Sequence, residues 1–442
     1  MKDAEIDSLL HFIKKCTSPF GTVRTGKGML LQAGFEELEL SQAWELRHGG
    51  RYFAEIYGST LFAFCIGKNM RHGSANALRI AAAHTDFPCL RIKPMPNMIS
   101  GGYEQLNVET YGGLIYSSWL DRPLSLAGKV MLRGKDAFSP RTVLLDVQRP
   151  VLTIPSLAIH MNREVNQGVA IDAQKELLPV IKLLGGGEDE KESSFLSFLE
   201  SELSCEEEEI LSYDMSVYAA EDGCAVGLDE AMCSSPRLDN LTSAKACLDA
   251  LIHAKDAAWE GIRFCALFDN EEVGSQTKQG AGSAVLLHVL ERIYASLGYF
   301  KENLLCDMAA GFMLSVDVAH AVHPNHVDKS DPKNQPVLGG GVVLKQSASQ
   351  SYAGDAEAIA VVSELCRQHD IPFQRFVNRA GVRGGSTLGS IASAFLPIRT
   401  MDIGVPLLAM HSARETMGCK DQKALTDLLK AFYSEKLAGD EA

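Results

Sequence analysis

The latter half of the chain alternates apolar stretches of strand length with amphipathic stretches of helix length, and this alternation narrows the possible folds most. Apolar residues at helical spacing predict helices over residues 240–260, 283–297, 356–369 and 421–433. Apolar runs between them predict strands over residues 262–268, 312–318, 373–377 and 398–403. Strands that alternate with helices form a sheet whose faces are covered by those helices. The sequence therefore predicts an α/β fold.

The first part of the chain adds one strand to this pattern and then departs from it. Apolar spacing predicts a helix over residues 6–13 and a hairpin over residues 51–66. The apolar run over residues 78–84 resembles the late strands more than these neighbouring elements do. Residues 91–222 instead combine short β-like pieces with glycines and prolines. A chain of 442 residues also exceeds the size of one ordinary core. We therefore predict one domain formed by residues 1–90 and 226–442, and a β-rich insertion over residues 91–225.

The composition excludes several classes of partner. The net charge is −14, which is unfavourable for binding a phosphate backbone, so we expect no nucleic-acid partner. No apolar run approaches the roughly 20 residues that a membrane span needs, so we expect no membrane association. The first seven residues contain acids and lack the apolar core of a secretory signal, and the 11 cysteines include no Cys-x-x-Cys pair. These features predict a cytoplasmic protein with reduced thiols.

Polar groups follow the ends of several predicted strands. In open α/β sheets, binding sites form beyond the carboxyl ends of the strands. Four such groups follow strands and a fifth lies in a turn before a helix, namely His84-Thr85-Asp86, Asp269-Asn270-Glu271-Glu272, Asp317, His411 and Asp239. Imidazole and carboxylate ligands without a thiolate suit zinc, or manganese or cobalt in its place. The sequence therefore predicts a metal site at this edge of the sheet.

Each of these residues also has an ordinary structural explanation. A histidine after a strand can be a hydrogen-bonded core residue, Asp239 can be the N-cap of its helix, and Asp317 can be a turn residue. The pair Glu271-Glu272 can belong to a solvated loop. Against these alternatives, a carboxylate that directly follows an apolar strand costs free energy to bury without a partner. Because several strands end in this way, a shared cation is the simpler interpretation.

The acidic pair Glu271-Glu272 can supply two different functions. Two metal ions roughly 3.5–4 Å apart polarise a carbonyl and activate a water, and such a site needs a bridging carboxylate and one uncoordinated base. On a non-helical turn the two glutamate side chains diverge, so one can bind metal while the other moves the proton of the water. The spacing does not determine which glutamate has which role. Asp86, two residues after His84, suits a partner that fixes the tautomer of that imidazole.

Five motifs of the sequence resemble those of the aspartyl aminopeptidase family of zinc metallopeptidases. They follow the order of the family over residues 84–415: His84-Thr-Asp-Phe-Pro-Cys-Leu-Arg-Ile-Lys-Pro94, Ser235-Pro-Arg-Leu-Asp-Asn240, Phe268-Asp-Asn-Glu-Glu-Val-Gly-Ser275, Asp317-Val-Ala-His-Ala-Val-His-Pro-Asn325 and Met410-His-Ser-Ala-Arg-Glu415. The resemblance implies a phosphorylase/hydrolase-like mixed-sheet catalytic domain, with the β-rich insertion as a dimerisation domain. It also implies a homo-oligomer in which dimers assemble into a dodecamer.

The resemblance further implies roles for individual residues in a site with two Zn²⁺ per chain. The implied ligands are His84 and Asp317 for one zinc, Glu272 and His411 for the other, and Asp239 as the bridge. Glu271 is the implied general base. The implied substrate contacts are His160 from a neighbouring subunit, His320, Lys345 and Tyr352. Two of these have ordinary alternatives, since His160 can be a hydrogen-bonded loop residue and Lys345 an exposed lysine.

Several positions depart from the family pattern, and none of them is an implied metal ligand. They are Phe87 in place of a serine, Ser330 in place of a histidine, Ser351 in place of an arginine, and the run Arg383-Gly384-Gly-Ser-Thr387 in place of a Cys-Gly-Ser/Thr-Thr run. These departures predict an altered substrate pocket rather than a lost metal site.

We therefore expect an aminopeptidase that removes an N-terminal residue from peptides, with Asp or Glu favoured. An alternative with the same metal site is a broad or neutral-residue aminopeptidase, or a hydrolase of N-acyl amino acids. A non-enzymatic alternative is a metal-stabilised assembly protein, although such a protein has no use for an uncoordinated base at Glu271.

Overall fold

The computed structural model describes residues 4–184, 195–254, 259–382 and 384–436, which form two compact units. The first unit comprises Met1–Asp86, Gly223–Met410 and Glu415–Ala442, and the second comprises Phe87–Asp222 and His411–Arg414. The sequence-based boundaries lie at residues 90/91 and 225/226, and a dimerisation role for the second unit stays a prediction. No helix in the described ranges is long and apolar enough to cross a membrane.

The helices and strands of the described residues are numbered in chain order. The helices are α1 (Ala4–Lys15), α2 (Pro19–Gln32), α3 (Ala173–Glu176), α4 (Phe195–Leu203), α5 (Leu238–His253), α6 (Val285–Ser296), α7 (Lys301–Ala310), α8 (Ala356–Gln368), α9 (Leu388–Phe395) and α10 (Cys419–Ser434). The strands are β1 (Glu36–Glu37), β2 (Arg51–Ile56), β3 (Thr60–Ile66), β4 (Leu78–His84), β5 (Cys89–Ser100), β6 (Tyr103–Tyr111), β7 (Leu124–Leu132), β8 (Arg141–Asp146), β9 (Val180–Leu183), β10 (Ile210–Ala219), β11 (Cys224–Val226), β12 (Met232–Ser235), β13 (Ile262–Phe268), β14 (Phe312–Val316), β15 (Ala319–His320), β16 (Val342–Gln346), β17 (Phe373–Val377), β18 (Arg399–Gly404), β19 (Pro406–Leu408) and β20 (Glu415–Gly418).

A nine-stranded mixed sheet runs through the first unit in the order β1-β2-β3-β13-β4-β14-β18-β16-β17. Its middle strands β13, β4, β14 and β18 are parallel, while β3 and β16 pair antiparallel on either side of them. Every residue of β4, β13 and β14 is buried, as expected for parallel strands that are covered on both faces. The predicted α/β fold with a mixed sheet is confirmed.

Helices provide the cover of this sheet. One apolar cluster packs Leu290 of α6 and Met308 of α7 against Ile80 of β4 and Phe264 of β13. Helices α5 and α10, whose side chains are not part of that cluster, also contact β4. The hydroxyl of Tyr433 in α10 donates a hydrogen bond to the backbone carbonyl of Phe264 at 2.7 Å. Full burial of one such aromatic or aliphatic side chain stabilises the fold by about 1.5–3 kcal/mol. This packing keeps the carboxyl ends of the middle strands in register.

The remaining sheets are smaller. In the first unit, five short strands pair in the order β11-β12-β20-β19-β15. In the second unit, a six-stranded sheet has the order β8-β7-β10-β5-β6-β9, and all its pairings are antiparallel. Buried and more exposed residues largely alternate along β6, which is typical of a sheet with one covered face.

Most predicted elements of the first unit occur, with ends that coincide with the prediction or are shifted by one or two residues. The helix predicted over residues 240–260 is shorter, because α5 begins at Leu238 and ends at His253. Residues 255–258 of that prediction lie outside the described residues. The prediction is also wrong at Trp259 and Glu260, which the structure describes and which are not helical. Trp259 is apolar because its side chain is buried next to β13, with an exposed fraction of 5%.

Helices α2, α7 and α9, strand β16 and the short strands β1, β11, β12, β15, β19 and β20 were not predicted. Helix α2 contains three glycines, and glycine lowers helix propensity by about 1 kcal/mol per residue. Its start nevertheless has a clear signal, because the Ser18 side chain accepts a hydrogen bond from the Gly21 N–H at 3.1 Å and Pro19 is the first helical residue. Gly26 allows the helix to lie close to β3, since a Cβ there would be 2.7 Å from Cδ2 of Leu61.

Candidate metal centre and active site

Three parallel strands deliver polar groups to one edge of the nine-stranded sheet. Strand β4 ends at His84 and lies between β13 and β14. Strand β13 is followed by the acidic turn that begins at Asp269, and β14 is followed by Asp317. Because the three strands are parallel neighbours, their carboxyl ends meet at the same edge. The first unit therefore brings together three of the polar groups that the sequence singled out.

His84 lies between two sets of acceptors. Its Nδ1 donates a hydrogen bond to the backbone carbonyl of Asp86 at 3.0 Å. Its Nε2 faces two carboxylates, 3.5 Å from Oδ1 of Asp239 and 3.6 Å from Oδ1 of Asp317. The imidazole is almost completely buried, with an exposed fraction of 1%. The Nδ1 contact orients the ring so that Nε2 points at the carboxylates, an arrangement typical of a metal-binding histidine.

Asp239 reaches this position through an irregular start of α5. Residue Arg237 has a φ of 60° and Asp239 has non-helical angles (φ −77°, ψ 110°). The backbone N–H of Asp239 donates to Oε2 of Glu415 at 3.0 Å, and the side-chain amide of Asn240 donates to the carbonyl of Val316 at 2.9 Å. These bonds tie the turn to the end of β14. Asp239 is 3% exposed, so its carboxylate lies inside the protein beside His84.

The acidic pair lies on a short 3₁₀ turn, Glu271–Val273, directly after β13. Asn270 has a left-handed backbone (φ 62°), which turns the chain sharply out of the strand. Both oxygens of Asp86 receive backbone hydrogen bonds from this turn, Oδ1 from the Glu271 N–H and Oδ2 from the Glu272 N–H, each at 3.1 Å. Asp86 therefore contacts the acidic pair through their amides, in addition to the His84 ring.

Burial and charge shift the pKa values of these groups in different directions. Desolvation raises the pKa of Glu271 to about 8, and the neighbouring carboxylates of Asp317, Asp86 and Asp239 add to the rise, although His84 opposes it. Burial opposes the charge of His84, but hydrogen bonds to Asp317 and Asp86 outweigh it and raise its pKa well above the ordinary value. This many carboxylates in one buried cluster favour a nearby positive charge.

The donor set fits the metal that the sequence predicted. His84, Asp239 and Asp317 each offer one ligand atom within 4.8 Å of the others, and His84, Glu271 and Glu272 form a second such group. Imidazole nitrogen and carboxylate oxygen are ordinary zinc ligands, and neither group contains a thiolate. The first unit alone therefore offers donors for a metal ion around His84. Further ligand assignments remain predictions.

Two of the predicted substrate contacts lie beside this cluster. Lys345 on β16 is only 2% exposed, so the alternative of an exposed lysine is wrong. Its ammonium lies 3.4 Å from Oδ2 of Asp317 and donates to the carbonyl of Val318 at 3.1 Å. Burial opposes its charge, but Asp317 and then Asp402 raise the pKa of Lys345 above its ordinary value. The Lys345 ammonium also lies 5.3 Å from the centre of the Tyr352 ring.

The pairing with Lys345 also acts on Asp317. Burial opposes the charge of Asp317, but the Lys345 ammonium and the hydrogen bond from His84 hold the pKa of this carboxyl well below its usual range. The Val318 N–H donates to its Oδ1 at 2.8 Å. Asp317 is thus kept as a carboxylate, the form that binds a metal ion.

The other predicted site residues are more exposed or belong to the second unit. His320 on β15 is exposed, and its ring centre lies 6.0 Å from that of Phe376. In the second unit, His160 is exposed in a loop, and His411 has a left-handed backbone (φ 66°). The Nδ1 of His411 donates to the carbonyl of Gly113 at 2.9 Å, which leaves Nε2 on the other side of the ring.

Two buried acids near the site were not singled out from the sequence. Glu415, 2% exposed, accepts the backbone hydrogen bond of Asp239, and Asp402, completely buried, lies on β18 next to β14. The sequence contained a signal for Asp402, because an acid inside the apolar run of a strand is costly to bury without partners. Glu415 ends the last of the five family motifs, but its role depends on a contact 176 residues away in the chain.

Two departures from the family pattern have a clear structural setting. The Ser351 hydroxyl donates to Oγ of Ser347 at 2.9 Å, so a short serine cluster stands where the family commonly has an arginine. A Cβ at Gly384 would lie 2.4 Å from Nδ2 of Asn378, so a side chain at this position would require the Asn378 amide to move. Arg383 of the same run lies outside the described residues. Phe87 is buried in the second unit, and Ser330 follows a short 3₁₀ turn in the first.

Comparisons with known proteins identify the family of the chain. A family model described as Aminopeptidase I zinc metalloprotease (M18) matches residues 12–433. A probable M18 family aminopeptidase 2 from Clostridium acetobutylicum is 44% identical over 427 residues, which cover 96% of this chain and 98% of that protein.

Solved structures give the same result. A chain in the cryo-EM structure of the Ape4 and Nbr1 complex is 33% identical with a TM-score of 0.92, and the match covers 97% of this chain and 85% of that chain. The S. cerevisiae mApe1 dodecamer is 26% identical with a TM-score of 0.82, with 97% of this chain and 96% of that chain covered. The family resemblance predicted from the five motifs is confirmed. The chain therefore belongs to the M18 family of aminopeptidases, which are zinc metalloproteases.

Proposed function

We propose that the protein is a two-zinc aminopeptidase that removes the N-terminal residue of peptides, with Asp or Glu favoured. The observation that carries this proposal is the position of His84, whose Nε2 lies about equally far from Asp239 (3.5 Å) and Asp317 (3.6 Å). The Glu271-Glu272 turn lies close enough to join the same cluster. A bridging carboxylate between two metal ions requires such a convergence.

The ligand assignment of this proposal follows the family motifs. His84 and Asp317 would hold one Zn²⁺, Glu272 and His411 the other, and Asp239 would bridge them, with Mn²⁺ or Co²⁺ as substitutes. In metal sites the histidine nitrogen that does not bind the ion commonly donates a hydrogen bond, and Nδ1 of His411 donates one to the Gly113 carbonyl. That orientation supports the assignment of His411.

The chain's own residues would move the protons of the reaction. Zinc bound at the site supplies a Lewis acid for the scissile carbonyl and lowers the pKa of a water. Glu271 would take the proton from that water and later give it to the leaving amine. The positive charge of the metals favours the ionised form of Glu271, which a base requires. Asp86 would hold Glu271 and Glu272 in place through their backbone N–H groups.

The preference for an acidic N-terminal residue rests on Lys345 and Tyr352. A buried ammonium opposite a substrate carboxylate contributes roughly 1.5–3 kcal/mol, which biases the choice of residue by one to two orders of magnitude. One observation favours the alternative of a broad or neutral-residue aminopeptidase. Lys345 already has Asp317 and the Val318 carbonyl as partners, and Ser351 stands where the family commonly has a cation.

The remaining alternatives make different use of the same site. A hydrolase of N-acyl amino acids would share the metal centre and Glu271, but would accept substrates without a free amino group. A metal-stabilised assembly protein would need the ligands but no base. The retention of Glu271 beside the ligands supports an enzyme.

We also propose that the chain forms homo-oligomers, with dimers assembling into a dodecamer and His160 contacting substrate in a neighbouring subunit. The loop around His160 supports this, since Leu157, Ile159 and Met161 are 55%, 47% and 71% exposed, and such apolar exposure is typical of an interaction surface. The related mApe1 structure is described as a dodecamer. A cytoplasmic location is supported by the cysteines, since the described residues include all 11 and form no disulfide.

The test of the proposed function is hydrolysis of Asp-, Glu-, Leu- and acyl-capped chromogenic amides by the purified protein, with its metal content measured in parallel. We expect release from the free-amine substrates, fastest with Asp or Glu, and about two zinc ions per chain. Release from acyl-capped substrates alone would contradict an aminopeptidase. No hydrolysis by the zinc-loaded protein would favour the assembly protein, and equal rates with Leu and Asp would remove the acidic preference only.

A further inference from the structure

Asp402 on β18 is a completely buried carboxylate whose oxygens receive three hydrogen bonds. Its Oδ1 accepts from the Ser315 hydroxyl, and its Oδ2 accepts from the Thr387 hydroxyl (2.8 Å) and the Ala353 N–H. Its own backbone N–H donates to the carbonyl of Ala353 at 2.8 Å. Burial raises the pKa of Asp402, while Lys345 and the three donors oppose that rise. The acid does not belong to the proposed metal ligands.

Each of the three donors belongs to a segment that carries a proposed site residue or leads into the wall of a nearby cavity. Ser315 lies on β14, two residues before Asp317. Ala353 directly follows Tyr352, whose ring faces the Lys345 ammonium. Thr387 precedes α9, and its backbone N–H donates to the Ser351 carbonyl at 3.1 Å. Asp402 therefore joins three segments that are distant in sequence.

The segments of Ala353 and Thr387 continue into the walls of a cavity of about 580 Å³. One wall comprises Gln346 to Gln350 with Gly354, and the other comprises Val377 to Val382 with Gly384. Gly354 directly follows the anchored Ala353, and Gly384 lies three residues before the anchored Thr387. The first wall begins one residue after Lys345 in the sequence, and Lys345 itself is not a lining residue. Both walls are thus tied at one end to the Asp402 carboxylate.

The packing around Asp402 leaves little freedom for these anchors. A Cβ at Gly389 in α9 would lie 2.5 Å from Cβ of Ser315 and 2.9 Å from Oδ1 of Asp402. Helix α9 therefore lies directly against β14 and β18 at this point. Loss of the carboxylate would remove the partner of three donors at once, two of them on the buried residues Ser315 and Thr387, and each unsatisfied donor would be free to shift or to recruit water.

We propose that Asp402 is a positioning residue for substrate binding, which holds the turn after Tyr352 and the start of α9 against β14 so that the Tyr352 ring beside Lys345 and the walls of the cavity keep their positions. This inference rests on the proposed aminopeptidase function, because it assigns the cavity to the substrate. Asp402 does not touch the reacting atoms, so its loss weakens substrate binding more than the chemical step.

The test compares Asp402→Asn with a matched variant, Asp307→Asn. Asp307 in α7 is also completely buried and also accepts three hydrogen bonds, from His72 Nδ1 (2.7 Å), the Gly73 N–H (2.7 Å) and the Tyr294 hydroxyl (2.6 Å). These partners lie near the amino end of β4, whereas His84 lies at its carboxyl end. The two substitutions remove the same chemical group from equally buried sites, so a general loss of stability affects both.

We expect Asp402→Asn to raise KM for the preferred amino-acid amide about tenfold, with kcat within about twofold of the wild type and with unchanged zinc content. Asp307→Asn should leave KM unchanged. Thr387→Val removes one of the three donors without changing the volume of the side chain, and it should raise KM by a smaller factor. It provides the test if Asp402→Asn does not fold. Equal KM values for wild type, Asp402→Asn and Thr387→Val would overturn the proposal, as would a joint loss of kcat and zinc.

The wild-type assay separates the two possible failures. If the wild-type protein releases no amino acid from any free-amine substrate, the proposed function fails and Asp402 loses its assigned role with it. If the wild type is active and Asp402→Asn behaves like Asp307→Asn, the aminopeptidase proposal stands and only the role of Asp402 is wrong.

Discussion

The carboxylate of Asp86 accepts the backbone hydrogen bond of Glu271, with 3.1 Å between Oδ1 and the nitrogen, and its other oxygen accepts that of Glu272. One acid thus fixes the backbone of the turn that carries the proposed base and one proposed ligand. The sequence suggested that Asp86 fixes the imidazole of His84. In the structure the Nδ1 of that imidazole donates at 3.0 Å to the backbone carbonyl of Asp86 and lies 3.4 Å from its carboxylate.

We expect Asp86→Asn to lower kcat by about 10–100-fold, because an amide has one acceptor oxygen and would direct its NH₂ at one of the two backbone N–H groups. The turn would shift, and Glu271 with it. The measurement is kcat with an amino-acid amide, together with zinc content. A matched variant is Asp421→Asn, since Asp421 also accepts two backbone N–H groups, from Gly339 and Gly341, each at 2.8 Å. It should lose stability but keep most of its kcat, and an equal loss of kcat in both variants would argue against a specific role for Asp86.

Glu271→Gln tests the proposed base directly. The amide keeps the size of the side chain but cannot take a proton, so turnover should fall by orders of magnitude while the zinc content stays near two per chain. Steady-state kinetics and metal analysis of the same preparation measure both quantities. Glu272→Gln is the companion variant, because a proposed ligand should lose zinc as well as activity. Substantial residual turnover in Glu271→Gln would assign the base to another residue.

Asp239→Ala distinguishes a bridging ligand from a helix cap. If the carboxylate beside His84 bridges two metals, its removal should strip zinc from the protein and abolish activity. The control is Asp355→Ala at α8, where the aspartate is an N-cap whose side chain accepts from the Ala358 N–H at 2.8 Å. That variant should lose about 1 kcal/mol of stability without losing metal. Retention of both zinc ions in Asp239→Ala would restore the helix-cap interpretation.

The residues that the sequence singled out share one property, which explains why they could be found. His84 ends one strand of apolar residues and Asp317 directly follows another, so their position at an edge of the sheet follows from the alternation of strands and helices. Asp239 was ambiguous, because an aspartate before a helix is also an ordinary cap. Only the tertiary contact with His84 Nε2 separates the two interpretations.

Other features depended on contacts that no local pattern encodes. Strand β16 lies between a glycine run and a serine-rich loop and was missed. The burial of Lys345 depends on Asp317 and Val318, which lie 28 and 27 residues away in the chain. Asp402 carried a local signal, but its partners Ser315 and Thr387 are 87 and 15 residues away in the chain. The donors that satisfy a buried acid come from segments that only the tertiary fold brings together, so the sequence does not identify them.

The cysteines provide a test of the fold that is independent of catalysis. Cys16, between α1 and α2, is completely buried, and desolvation raises the pKa of its thiol to about 12. At pH 8 roughly one in 10⁴ of such thiols is ionised, compared with about a quarter of ordinary thiols. Cys306 on α7 and Cys224 on β11 are exposed. We therefore expect iodoacetamide at pH 8 to modify Cys306 and Cys224 in the native protein and to spare Cys16.

Peptide mass spectrometry after a short reaction measures this difference for each cysteine separately. In urea all 11 cysteines should react, which controls for the intrinsic reactivity of each peptide. Because the thiolate is the reactive form, a higher pH should speed the reaction of the exposed thiols until they are ionised, while Cys16 stays protected by burial as well as by its raised pKa. Labelling of native Cys16 as fast as Cys306 would mean that the packing of α1 and α2 opens in solution, contrary to the structure.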